Sequence, residues 1–345
     1  SGHRLGIMRG RGAMMPALLA SVLLVQGVSC VSAPVDDPRA ARAEAFERVG
    51  SWSDAAGLWT QIYFDSGFRD VEAGRLAARA SLVAGRPDDA LVRLDDLLAR
   101  EPGDPRLLEM RGSAREALSQ PAAARVDYEA ALAVEPNLPR ALARLGALEV
   151  AAGRVEEGLE LLTRGVALDP SDLEAQFGLG VALAGAGDPG GAAGAFDAAF
   201  GGQTSVSAAS LGQRLDAARL LGSHPACAAW LAPLLAANPQ HTEALWRIGQ
   251  SEISGGRRAD GLRHLERAAE SDPGDVAALS AFAAALLLEG RDDDAQAIID
   301  HARGLDLTPE EAALLEGLGG PHVGEPQPGV PPEEDPGSET VSRPR

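Results

Sequence analysis

The 345-residue chain has a formal net charge of −19 and is 45% hydrophobic but only 4% aromatic. Its acidity disfavours a general nucleic-acid role, which needs a cationic face to displace counterions. Alanine, leucine and glycine dominate the composition, which favours close-packed helices over a sheet core rich in β-branched and aromatic residues. The only cysteines are Cys30 and Cys227, too few for a disulfide framework, and the six histidines fit no zinc spacing. No metal and no cofactor is expected.

Residues 1–29 differ from the rest. Arg4, Arg9 and Arg11 make a positive start without acids, and Ala13 to Val25 is a mainly apolar run of 13. The run is shorter than the roughly 20 residues of a membrane span and fits the hydrophobic region of a secretory signal. Met8 is a candidate true start. Val28-Ser29-Cys30 follows, and this arrangement resembles the bacterial lipoprotein signal, in which a cysteine after small residues is lipidated and becomes the mature N-terminus. Gly27 departs from the leucine usual there. The rival reading is ordinary cleavage after Ala33, with Pro34 against it. The resemblance implies lipidation of Cys30, membrane attachment through acyl chains, and outer-membrane sorting facing the periplasm, since Val31 is not the aspartate that retains such proteins at the inner membrane. A soluble periplasmic or secreted protein is the alternative. Residues 30–35 would be a short tether.

From residue 36 the chain repeats. Prolines recur at Pro102, Pro136, Pro170, Pro239 and Pro273, at gaps of 34, 34, 69 and 34. Glycines keep the same beat at Gly85, Gly153, Gly187, Gly222, Gly256 and Gly290, with Ser119 in the one unit that lacks glycine. The unit at 139–172 shows the pattern best. Its apolar spacing predicts a helix from about Pro139 to Ala152, a stop at Gly153, and a second helix from about Val155 to Leu168 ended by Asp169-Pro170. Units fall at 71–104, 105–138, 139–172, 173–206, 208–241, 242–275 and 276–309, with a weaker one at 36–69. Residues 309–318 read as a helix that covers the last apolar face. Residues 319–345 are rich in proline, glycine and glutamate and are expected to be disordered.

The 34-residue beat, the small residues at the eighth place (Ala78, Gly112, Gly146, Gly180, Gly249, Ala283) and those at the twentieth (Ala90, Ala124, Gly158, Ala192, Cys227, Gly261, Ala295) resemble the tetratricopeptide repeat family. The physical reason for small side chains there is close crossing of the two helices. The resemblance spans residues 36–309 and implies an all-α, right-handed superhelix of about eight helix-turn-helix units. Leu215 stands where a small residue belongs, and the preceding unit lacks its proline, so a kink or a division into two subarrays is expected near residues 200–208. Cys227, at a small-residue place, reads as a buried, inert thiol.

No catalytic constellation is present. Gly178-Leu179-Gly180 and Gly185-Ala186-Gly187 follow no strand, and Asp292-Asp293-Asp294 fits the positive end of a helix dipole. The chain therefore reads as a non-catalytic scaffold of the bacterial cell envelope, assisting assembly of an envelope or secretion complex. The alternative is a subunit that handles polysaccharide or peptidoglycan. In the resembled family the first helices line the inner groove. Carried onto this chain, the groove places give Arg75 and Arg79, then Arg106, Glu109 and Met110, then Arg140 and Arg144, with Phe177 and Trp246 as apolar anchors or as packing. Arg75, Arg140 and Arg144 match basic places that chaperone-binding members use to grip a carboxylate, whereas Arg79 and Met110 replace the asparagines. The expected partner is a protein or peptide, in the sharper reading an acidic one.

Overall fold

The computed structural model describes residues 37–201 and 207–318. The leader, Cys30, the tether and the tail at 319–345 lie outside the described residues. The described residues form seventeen α-helices and no strand. They run as hairpins: α1 (Pro38–Arg48) with α2 (Trp52–Asp65), α3 (Val71–Val83) with α4 (Pro87–Arg100), α5 (Pro105–Ala117) with α6 (Pro121–Val134), and α7 (Pro139–Ala151) with α8 (Val155–Leu168). Next come α9 (Leu173–Gly185) with α10 (Pro189–Gly201), α11 (Ala208–Leu221) with α12 (Cys227–Ala237), α13 (Thr242–Ser254) with α14 (Arg258–Ser271), and α15 (Val276–Leu288) with α16 (Asp292–Arg303). The last helix is α17 (Pro309–Leu318). From α3 on, every first helix begins at the first residue of a sequence unit.

Local chemistry sets these limits. Asp70, Asp104, Asp172 and Asp275 precede first helices, and each side-chain carboxylate accepts from a free N–H of the first turn. Proline at the first or second position starts α4, α5, α6 and α7 where its missing donor costs nothing. Between the helices of a unit the chain turns through the left-handed region, at φ +82° in Gly153. Ser119 occupies the same turn at φ +59°, which costs a residue with a Cβ about 1–2 kcal/mol.

Packing joins the units in series. Within the α13–α14 hairpin the backbones nearly touch: a Cβ on Gly261 would lie 2.6 Å from the Gly249 carbonyl oxygen, and one on Gly249 would lie 2.8 Å from that of Gly261. Larger side chains on the partner helices fill the remaining space, with Tyr63, Tyr128, Leu162 and Phe196 almost fully buried. Between units, the second helix reaches back to the turn that closed the unit before it. Arg164 donates to the Pro136 carbonyl at 3.1 Å and Arg267 to that of Pro239 at 3.1 Å, while the His301 ring nitrogen lies 3.0 Å from that of Pro273. First helices of successive units also pack on one another, as α7 does on α9 and α13 on α15. The array therefore curves with its first helices on the inner side.

Of the kink or division expected near 200–208, a division does not occur in the core, where one cluster runs from Ala192 to Ile248; residues 202–206, where a kink would fall, are not described. Phe196 and Phe200 of α10 pack edge-on against Trp230 of α12, at centroid distances of 5.6 and 5.8 Å. The large rings bridge a place where α10 and α11 meet only sparsely. At the far end Leu315 of α17 is buried against Val276, Leu279 and Ala302, which covers the last unit. Among the described residues no helix is long and apolar enough to cross a membrane.

Candidate functional site

The inner surface is built from the exposed sides of the first helices, and its main content is a series of ion pairs between successive units. Glu47 of α1 takes Arg79 of α3 at 2.6 Å and also accepts from the buried Trp59 indole at 2.9 Å. Glu109 of α5 faces Arg140 of α7 at 3.4 Å. Arg144 of α7 lies 4.0 Å from Glu116 of α5 and 2.7 Å from Glu174 of α9. Farther on, Arg219 of α11 grips Glu243 of α13 through two bonds of 2.8 and 2.6 Å, and Arg247 adds a third at 2.9 Å.

The sequence-selected arginines therefore do not form an open cationic clamp. Arg75 pairs with Glu72 on its own helix at 2.6 Å, Arg79 with Glu47, Arg140 with Glu109 and Arg144 with Glu174. Arg106 is exposed and forms no ion pair among the described residues. Arg140 keeps its side chain 58% exposed despite its partner, whereas Arg144 is only 15% exposed. Met110 packs against the core of the first units. Phe177 is half-buried, 5.4 Å from Phe196 and 6.3 Å from Phe200. Trp246 is half-buried between two core clusters, with the Arg247 guanidinium 4.3 Å from its ring centroid. Between α9 and α11 no ion pair crosses, and Phe177, Val181 and Leu215 leave a mainly apolar stretch there. Of the partner carboxylates only Glu109 was among the sequence-selected places; Glu47, Glu72 and Glu174 were missed by choosing residues one place at a time. For Arg79, Arg140 and Arg144 a carboxylate about one unit away was the signal available.

Electrostatics mark the two middle carboxylates. Burial pushes the Glu109 carboxyl up, against the pull of Arg140 and Arg144. Burial likewise raises Glu116, which accepts a 2.5 Å bond from the Tyr128 hydroxyl and feels Arg144. Burial opposes the Arg144 charge, but Glu174 and Glu116 outweigh it and hold the guanidinium protonated. For Glu243, burial is outweighed by the bonds from Arg219 and Arg247, and its carboxyl lies below its ordinary value.

These directions have opposite consequences. A carboxyl raised in the fold binds its proton there more readily than in the unfolded chain, so stability falls as pH rises through the folded value. Glu109 and Glu116 should thus stabilise the array progressively as pH drops from neutral towards their ordinary value of 4.5. The Glu243 contribution is present above 4.5 and is lost as pH falls through its depressed folded value. Urea unfolding at neutral pH and near pH 5 should show higher stability at the lower pH. The double substitution Glu109→Gln, Glu116→Gln should flatten that rise.

Among the described residues no group of three or more His, Cys, Asp or Glu side chains could hold a metal ion. Cys227 is fully buried, and burial pushes its thiol up to about 11, against a weaker pull from Arg247. A thiol held protonated in this way is a poor nucleophile.

Two stretches, residues 75–141 and 143–205, match the family model for the tetratricopeptide repeat. No curated protein matches the sequence. Among solved structures, MamA is 19% identical with a TM-score of 0.39, over 46% of this chain and 92% of that one. YrrB, described as a tetratricopeptide repeat protein with an unusual peptide-binding site, is 19% identical with a TM-score of 0.36, over 65% and 96%. A tetratricopeptide repeat protein from Parabacteroides merdae is 15% identical with a TM-score of 0.41, over 72% and 98%. The 34-residue beat, the helical hairpins with small residues at their crossings, and the family match lead to one conclusion: residues 75–205 are tetratricopeptide repeats, and the hairpins before and after them continue the same architecture.

Proposed function

We propose that this chain is a non-catalytic scaffold that holds an extended segment of a partner protein along the inner face of its first helices. The observation that carries this reading is that charged side chains on that face are already ordered by pairing between units. Ion pairs tie α1 to α3, α5 to α7 and α9, and α11 to α13. They fix long side chains that would otherwise cost rotamer entropy to order on binding. The apolar stretch around Phe177 and Val181 suits one apolar side chain of the partner, and flanking carboxylates and guanidiniums suit polar groups on either side of it. Arg106, exposed and unpaired among the described residues, and Arg140, exposed and loosely paired, are the most available cations for an acidic residue of the partner.

Substituting Arg75→Glu and Arg140→Glu together tests the acidic-partner part. Retention of the partner from native envelope extracts should fall about tenfold, with the circular dichroism spectrum unchanged. Unaltered retention would remove the acidic preference. Recovery of glycan alone, with no protein, would favour a polymer-handling subunit instead.

The cellular setting belongs to the same proposal. Cys30 after Val28-Ser29, behind the apolar run from Ala13 to Val25, supports a lipid-anchored outer-membrane protein facing the periplasm that serves assembly of an envelope or secretion complex. Labelling with a fatty-acid analogue should mark the wild-type chain and not Cys30→Ala. Equal labelling of neither, with release into the soluble fraction, would favour cleavage after Ala33.

A further inference from the structure

Arg214 of α11 is buried, at 6% exposure, and no carboxylate meets it. One terminal nitrogen donates to the Phe200 carbonyl at 3.3 Å, the guanidinium lies 4.7 Å from the Phe200 ring centroid, and Nε has no acceptor. Burial works against its charge and nothing opposes that pull. The undescribed residues 202–206 contain no acid, so the adjoining linker cannot supply one.

An internal comparison shows what is missing. Arg111 holds the same place in its own unit. It bonds Asp127 of α6 at 2.7 Å and Asp95 of α4 at 3.0 Å, and Asp127 also takes Arg115 at 2.7 Å. Three units later the place of Asp127 is filled by Trp230 and that of Asp95 by Asp197. Trp230 donates to Asp197 at 2.6 Å, so the remaining carboxylate is engaged by the indole. Leu145 holds the equivalent place in a third unit. There it helps to line a cleft of about 370 Å³ between α6 and α8, with Leu132, Leu161 and Arg164. The residue that corresponds to Ala133 of that cleft is Gly201, and a Cβ there would meet nothing within 4 Å.

We propose that Arg214 anchors a carboxylate-binding site between α10 and α12, on the side of the second helices, and that it takes one acidic group from outside the described residues. A guanidinium already stripped of water gains more from a carboxylate than an exposed one does. Two sources carry that chemistry: an acidic residue of a partner, and the chain's own Glu325, Glu333, Glu334, Asp335 or Glu339. The site lies on the opposite side from the groove, so the two readings stand or fall separately.

Acetate serves as the probe, with chloride at equal ionic strength as control. The Arg214 Nε–H resonance is assigned by its loss in Arg214→Leu, with Arg214→Gln as a second variant and circular dichroism as the check on folding. In the full chain or in a chain ended at Leu318, acetate should shift that one resonance saturably, and chloride should not. Arg214→Leu should lose the acetate response while melting at a higher temperature, since leucine is the residue at this place around 145. If ending the chain at Leu318 moves the resonance before acetate is added, the chain's own acids are the ligand; if it does not, the ligand is a partner's. Equal effects of acetate and chloride, or an acetate-induced rise in melting temperature that persists in both variants, would overturn the site.

Discussion

Replacing Gly261 with alanine is expected to lower the stability of the array by about 3 kcal/mol, the upper part of the range for overpacking a tight interior. The new methyl would stand 2.6 Å from the Gly249 carbonyl oxygen and 2.6 Å from Ile253 Cγ1. The first of these is backbone and cannot rotate away, so α13 and α14 must separate. Because neighbouring units stabilise one another in a solenoid, the loss should appear in urea unfolding as earlier melting of the C-terminal units. Gly194 is the control. It also lies in a second helix, but a Cβ there meets nothing within 4 Å, so Gly194→Ala should instead stabilise by about 0.5–1 kcal/mol. Equal effects of the two substitutions would contradict the close-crossing account.

The second large effect concerns Asp127, whose side chain is only 1% exposed and bridges Arg111 and Arg115. Asp127→Ala should cost about 3 kcal/mol, because it removes the buried carboxylate that two half-buried guanidiniums share, leaving Arg111 with Asp95 alone and Arg115 with only the Ala123 carbonyl. The cost belongs to the under-compensated charges more than to the lost attraction. The following unit makes the point within the same chain, since Leu145 and Leu161 occupy the places of Arg111 and Asp127. The double substitution Arg111→Leu, Asp127→Leu should therefore recover most of the loss, with Arg115 still bonded to the Ala123 carbonyl at 3.2 Å. A double variant as unstable as Asp127→Ala would mean that the ion pair itself carries the stability.

The fold was legible because its signals are local and repeated. Pro105 and Pro139 start helices, Asp172 and Asp275 cap them, and Gly153 with Ser119 turns the chain, all at a fixed beat. Seven such units agree on a boundary even where one signal fails. The groove was legible only as a set of places. Reading Arg79 alone gives a free cation; Glu47, one unit earlier, neutralises it. Phe177 reads equally as anchor or as packing until Phe196 and Phe200 are placed beside it. The junction near 200 was least legible. Its outcome depends on large rings from α10 and α12 crossing the gap, and on Trp230 taking the carboxylate that Arg214 lacks. Neither follows from a periodic pattern, because both arise where the period shifts by one residue.

The central claim is that a protein partner lies along the first helices. A photo-crosslinking amino acid placed singly at Arg140, Phe177 and Gln250 on first helices, and at Val92 and Val126 on second helices, tests it in the native cell. Val92 and Val126 are the more exposed, at 63% and 60%, so simple accessibility would favour them. A partner bound in the groove predicts the same protein adduct from Arg140, Phe177 and Gln250 and none from Val92 or Val126. Adducts confined to Val92 and Val126 would contradict the account and move the interaction to the outer face.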